Sequence, residues 1–189
     1  MPKYVGLIAE LRGGKGTVGD LVTELAGPRA TAIMGFSDPI NECLDALGLP
    51  RTRENQQTFS TWARKAFGQD VFSNALYERA IRATADIVVI HGIRRPADAP
   101  MLRKIPGFFL CSIQAPAELR YRWMVRRNER PGDAEKTYEQ FLKENDAEPE
   151  QLIRTIAQEA DVVIINDEDD PSFAKLRIQV RERLLPRLI

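Results

Sequence analysis

Three glycines and a lysine fill four consecutive positions at Gly13-Gly14-Lys15-Gly16, and Thr17 follows at once. The apolar run Tyr4–Ala9 lies just ahead of them. In such a turn, backbone N–H groups can wrap a phosphate while a lysine reaches its outer oxygens. Against the pattern G-x-x-x-x-G-K-[ST], Ala9 takes the place of the first glycine, Gly16 stands where Ser or Thr is usual, and Thr17 comes one place late. An alanine is tolerated at that first position if its φ is negative. The surroundings supply what the bare pattern lacks: a buried strand before, a helix after, and a helix N-terminus aimed at the anion. A purely structural turn would leave the charge of Lys15 uncompensated there. The loop is therefore read as a phosphate cradle.

Other residues could serve the same chemistry. Arg94 and Arg95 follow the third apolar run, and a planar guanidinium fork suits a terminal phosphate. Arg120, Arg122, Arg126, Arg127 and Arg130 fall within eleven residues. They form either a solvated face paired with Glu118, Glu129 and Glu135 or an anion-binding element, and their mutual repulsion favours the second. Asp38 precedes Pro39, so it either caps a helix or faces a ligand, or does both. His91 is the single histidine. The run Asn166-Asp-Glu-Asp-Asp170 reads as a solvated loop rather than a metal cluster.

The elements that must position these residues alternate along the chain. Strands are expected at Tyr4–Ala9, Ala30–Gly35, Asp86–His91, Phe108–Ile113 and Asp161–Asn166; none alternates strictly, so each should be buried on both faces in a parallel sheet. Helices are expected at Thr17–Leu25, Pro39–Leu47, Glu54–Phe67, Asp70–Ala83, Ala117–Arg127, Ala134–Asn145, Glu150–Glu159 and Phe173–Leu185. In Glu54–Phe67, Phe59, Trp62, Ala63, Ala66 and Phe67 share one face. The expected fold is a single α/β domain, a three-layer sandwich whose ligands bind beyond the carboxyl ends of the strands, where every motif above falls. Equal numbers of acidic and basic residues, 27 of each, argue against a general nucleic-acid binder. No run has membrane-spanning length. Cys43 and Cys111, both among apolar neighbours, are read as buried free thiols in a reducing cytoplasm.

The ending Gly14-Lys15-Gly16-Thr17 is shared with nucleoside monophosphate kinases. Phe36-Ser-Asp-Pro-Ile40, the segment Ala63–Asp70 and His91-Gly-Ile-Arg-Arg-Pro-Ala-Asp98 resemble phage-type deoxynucleoside monophosphate kinases. Ala160-Asp-Val-Val-Ile-Ile-Asn166 is similar to the last strand of dephospho-CoA kinases. The chain thus resembles the nucleoside monophosphate kinase branch of P-loop proteins over nearly its whole length. That resemblance implies the P-loop NTPase fold with a five-stranded parallel sheet in the order 2-3-1-4-5. It also implies an acceptor-binding helical region over 38–83 and a lid over 126–145, with ATP and Mg2+ as cofactors. Arg12, Gly13, Gly14, Lys15, Gly16, Thr17, Val18 and Asn166 would contact ATP, and Thr17 would hold the metal. Arg94 and Arg95 would grip the acceptor phosphate, with Asp38, Arg64 and His91 also on the acceptor side. Arg126 and Arg130 would stabilise the transferred group. Lys15, Asp38, Arg94, Arg95, Arg126 and Arg130 are the catalytic candidates.

His91 departs from the resemblance, because these kinases carry an aspartate there that serves magnesium, and imidazole is a poor magnesium ligand. Another carboxylate such as Asp38 serves the metal instead, or His91 contacts the acceptor, or transfer is slow, or the histidine is structural. The implied reaction moves the γ-phosphoryl of ATP to a small phosphorylated acceptor, a nucleoside or deoxynucleoside monophosphate. The alternatives are a dephospho-CoA kinase and a nucleotide-binding regulator or slow NTPase. Partners would be small-molecule nucleotides, not nucleic acid or membrane, for a monomer or homodimer.

Overall fold

The computed structural model describes residues 1–128, 132–146 and 148–189. Five parallel strands form one sheet in the order β2-β3-β1-β4-β5. They are β1 Lys3–Ile8, β2 Thr31–Gly35, β3 Ile87–His91, β4 Phe109–Gln114 and β5 Val162–Ile165. Successive side chains point to opposite faces of a strand, and this chain uses both. Tyr4, Ile8, Val88, Ile90 and Leu110 join one core, while Val5, Leu7, Ile87, Val89, Phe109 and Cys111 join the other. The first core lies under α2 Asp38–Ala46, α3 Arg53–Phe67, α4 Val71–Ile81, α5 Ala99–Leu102 and α8 Glu148–Ala157; the second lies under α1 Lys15–Leu25 and the terminal helices α9 Ala174–Gln179 and α10 Leu185–Leu188. The three-layer arrangement expected from the apolar runs is present.

The register brings the functional strand ends level. Leu7 and Gly35 both pair with His91, and Ile8 pairs with Ser112. Three expectations about burial fail at the margins. β2 is an edge strand, its Ile33 is exposed and only Gly35 is fully buried, because no further strand pairs with its outer edge among the described residues. In α3 Ala63 is buried and Phe59 packs against the core as its spacing suggested, but Arg64 is buried too, whereas Trp62, Ala66 and Phe67 are exposed; the packed face covers only part of the expected one. Cys43 is exposed, and only Cys111 is buried, where burial pushes its thiol up to about 12.

Two local features depart from the expected elements. The helix expected over Ala134–Asn145, α7, covers only Tyr138–Asn145. Its start is fixed by a reciprocal cap: Gln140 N–H donates to Thr137 Oγ1 (3.2 Å), and Thr137 N–H donates to Gln140 Oε1 (2.9 Å), satisfying two otherwise orphaned donors. Between α9 and α10 the chain widens into a π-turn over Val180–Leu184. No helix among the described residues is long and apolar enough to cross a membrane.

Candidate phosphate-binding and acceptor site

The phosphate loop runs from the end of β1 to the start of α1. Gly14 takes φ +97°, and a Cβ there would lie 2.5 Å from Asn166 Nδ2. Asn166, carried just beyond β5, donates from that nitrogen to the Gly13 carbonyl at 3.4 Å. Gly13 is constrained from the other side, because its Cβ would stand 2.9 Å from the Ala9 methyl. Ala9 is thus accommodated in the first position of the pattern, and Gly13 leaves the room it needs. Arg12 also adopts a positive φ, 62°, uncommon for a residue with a side chain.

Lys15 folds onto the loop, its Nζ donating to the carbonyls of Ala9 (2.6 Å) and Glu10 (3.2 Å). Burial, and next the charge of Arg94, lower its pKa from 10.5 to about 8, against the opposing pull of Glu150 and Glu10. A cationic group held in this way is short of an anion. Behind the loop stands a charged frame that the sequence reading missed. Glu150 Oε2 accepts the Leu11 N–H at 2.7 Å. Arg120, on α6 (Ala117–Arg127) and 2% exposed, donates to the Leu11 carbonyl (3.1 Å) and to Asn145 Oδ1 (2.8 Å), and pairs with Glu10 at 3.2 Å. Arg154 Nε closes on the other oxygen of Glu10 at 2.7 Å.

At the ends of β2 and β3, Asp38 and His91 meet over Gly35. A Cβ on Gly35 would lie 2.8 Å from His91 Cε1 and 3.1 Å from Asp38 Oδ1. Asp38 does not cap α2. The helix already includes it, Ser37 is the cap position, and the Asp38 carboxylate turns back to accept the Gly35 N–H at 2.6 Å. Burial lowers the pKa of His91, and the charges of Lys15 and Arg94 lower it further, with Asp38 opposing. The imidazole is therefore neutral at neutral pH, and Lys15, His91, Asp38 and Arg94 form one electrostatic group.

The arginines divide by what they touch. Arg94 and Arg95 are exposed, and among the described residues neither guanidinium has a hydrogen-bond or ion-pair partner; their backbone N–H groups are held by Asp98 Oδ2 at 3.2 and 3.1 Å. Arg64 is buried against Asp98 Oδ1 (2.9 Å), the Gln69 carbonyl and the ring of Phe72. It is committed to the protein's own groups instead of standing open to an acceptor. Arg126 lies on Asp169, 2.7 Å and 3.3 Å from its two oxygens, while its neighbour Arg127 reaches the hydroxyl of Thr17 at 3.5 Å. Arg12 pairs with Asp133. Val18 is buried in the α1 core and Gly16 is open. Arg130 lies outside the described residues. In the acidic run, Asp167 binds Lys175 (2.7 Å) and Asp170 accepts the Ser172 N–H (2.9 Å).

No family model matches the chain. It is 26% identical over 167 residues to a UPF0200 protein of Pyrococcus abyssi, covering 86% of each chain. It is 28% identical over 144 residues to a UPF0200 protein of Pyrococcus horikoshii, covering 74% of this chain and 76% of the relative. Among solved structures it is similar to TT1252 from Thermus thermophilus, with TM-score 0.67, 16% identity and coverage of 100% and 98%. Shikimate kinase from Bacteroides thetaiotaomicron gives TM-score 0.63, 13% identity and coverage of 97% and 98%. Shikimate kinase from Acinetobacter baumannii in complex with shikimate gives 0.54, 17%, 98% and 94%. The five-stranded parallel sheet in the order 2-3-1-4-5, with helices on both faces, is the fold of these P-loop kinases.

Proposed function

We propose that this protein is a P-loop phosphotransferase that moves the γ-phosphoryl of ATP to a small acceptor which already carries a phosphate, a nucleoside or deoxynucleoside monophosphate. One observation carries the reading. Two guanidinium groups without partners among the described residues, Arg94 and Arg95, extend from a buttressed loop next to a phosphate loop whose lysine is short of an anion. Phosphoryl transfer asks the protein mainly to bring two anions into line and to neutralise developing charge.

In this reading the backbone from Gly13 to Thr17 holds the donor phosphates at the N-terminus of α1, with Lys15 on their outer oxygens. Arg94, whose charge acts on Lys15 and His91, and Arg95 together grip the acceptor phosphate. Magnesium keeps much of its water and takes few protein oxygens. The Thr17 hydroxyl and the Asp38 carboxylate are the groups that would hold it, and it would supply positive charge against the negative charge of the phosphates. His91, neutral and beside Asp38, contacts the acceptor.

Asp38 and His91 favour a second reading, in which the acceptor presents a hydroxyl, as dephospho-CoA does. A half-buried carboxylate beside a neutral imidazole can accept the proton that such a hydroxyl loses. The test is ADP formation from ATP and Mg2+ with each ribo- and deoxynucleoside monophosphate, with dephospho-CoA, and without acceptor. ADP formed with one class of monophosphate is the expected result. Turnover with dephospho-CoA alone would select the second reading, and ADP no greater than the blank with every acceptor would leave a nucleotide-binding regulator or slow NTPase.

A further inference from the structure

Asp98 is 1% exposed and belongs to none of the groups expected to touch ATP or acceptor. It closes a short 3-10 turn, Pro96–Asp98, and is followed by α5, whose Ala99 and Leu102 are buried in the core. Each of its oxygens has a separate task. Oδ2 accepts the backbone N–H groups of Arg94 (3.2 Å) and Arg95 (3.1 Å). Oδ1 accepts Arg64 Nη2 at 2.9 Å.

A carboxylate buried this deeply needs a cation, and Arg64 supplies one. The ion pair joins α3, part of the helical region over the proposed acceptor side, to the loop bearing the two arginines, whose guanidinium groups have no partner among the described residues. Two successive N–H groups on one oxygen fix the peptide planes from which both side chains leave. Long arginine side chains lose much rotamer freedom on binding a phosphate, so a rigid base reduces what must still be ordered.

We infer that Asp98 is the positioning residue of the acceptor site: it presents Arg94 and Arg95 as one oriented pair, and Arg64 ties that pair to α3. The inference rests on the phosphotransferase reading above and deepens it. Arg64 acts through Asp98, which accounts for its burial and for its contacts with protein groups alone.

The experiment compares the wild-type enzyme with Asp98→Asn and with the double variant Arg64→Met/Asp98→Asn, using the monophosphate that the wild type phosphorylates. Asp98→Asn leaves the Arg64 charge buried without a counter-ion and can fail to fold; the double variant removes both charges and avoids that fault. In the double variant, and in the single variant if it folds, the KM for the acceptor should rise at least tenfold. The KM for ATP should stay within twofold and kcat within threefold. A purely structural role predicts otherwise: the double variant would recover the acceptor KM within twofold, or both KM values would rise together. Either result overturns the inference. Asp98→Glu keeps the charge but lengthens the arm, and its acceptor KM should rise as well; a wild-type value would show that charge alone matters and would also overturn it. Absence of turnover by the wild type with every monophosphate overturns the phosphotransferase reading itself, whereas wild-type turnover with unmoved KM values overturns only the role of Asp98.

Discussion

Removing the amine of Lys15 tests the phosphate loop through its protons rather than through activity. In the unliganded protein its pKa lies at about 8 instead of 10.5. At ~1.4 kcal/mol per pH unit, burying the charged form costs about 3 kcal/mol. A polyphosphate at the loop would repay most of that and return the pKa toward its ordinary value, so binding above pH 8 must take up a proton. At pH 8.5 about one quarter of the free protein carries the proton, so binding should take up about three-quarters of a proton. Over pH 7.5 to 9.5 the affinity for ATP should fall about 25-fold, as the free lysine discharges and the bound one does not. MgATP is fully ionised across this range and contributes no proton of its own.

Titration calorimetry at pH 8.5, in buffers of different ionisation enthalpy, measures that uptake directly. Lys15→Met should bind more weakly, with no proton uptake and a flat profile. Stability carries the same signature. Below pH 8 the lysine is charged in both the folded and the unfolded chain, and its cost is fully present. Between pH 8 and 10.5 the folded chain releases the proton first, the unfolded chain binds more, and this contribution to stability rises with pH. Zero uptake by the wild type, or equal uptake by Lys15→Met, would refute the argument that Lys15 is short of an anion.

Gly13→Ala places a methyl 2.9 Å from the Ala9 methyl and 3.1 Å from the Glu10 carbonyl, and should weaken ATP binding at least tenfold by calorimetry. Ala9→Gly in the same chain should restore most of it; no restoration would make the carbonyl the obstacle. His91→Asp should leave kcat in the presence of Mg2+ within about threefold, because Asp38 already serves the metal in the proposed reading; a gain of about tenfold or more would place the metal at the end of β3 and refute the assignment to Asp38. Asp169→Asn releases Arg126 from an exposed pair, so the melting temperature should hardly move while the KM for ATP falls about threefold; an unchanged KM would show that Arg126 does not reach the donor.

The residues differ in how plainly the sequence announces them, and the physical reason is range. The glycine loop is local: strand, turn and helix follow within one stretch, so its chemistry shows in the order of residues. The strand ends are nearly as plain, since each apolar run stops where a motif begins, although the sheet order came from resemblance. Glu150 meets Leu11 across 139 residues, Arg120 meets it across 109, and Arg64 meets Asp98 across 34. Nothing in local spacing encodes those pairs. Helix phase is the other limit. Arg126 and Arg127 differ by one residue, about 100° around the helix, which sends one to Asp169 and the other to Thr17. The same uncertainty of phase exposes Trp62 and buries Arg64.

Counting arginines near a phosphate loop therefore says less than asking what each already holds. Arg64 and Arg120 sit inside networks of carboxylates and carbonyls, and taking either away to meet a ligand would leave a buried charge without its partner, a cost of about 3–5 kcal/mol. Those two build the site. Arg126 faces Asp169 in solvent with its side chain 64% exposed, where an ion pair exchanges easily for a phosphate; it can be recruited. Arg94 and Arg95 have no group among the described residues to give up and a fixed backbone beneath them, so a phosphate would gain from both without a compensating loss. A sequence alone ranks these residues by proximity to a motif, whereas the partners rank them by what binding would cost. Under the proposed function, that ranking favours the loop after β3, rather than the longer arginine run of α6, as the place that holds the acceptor.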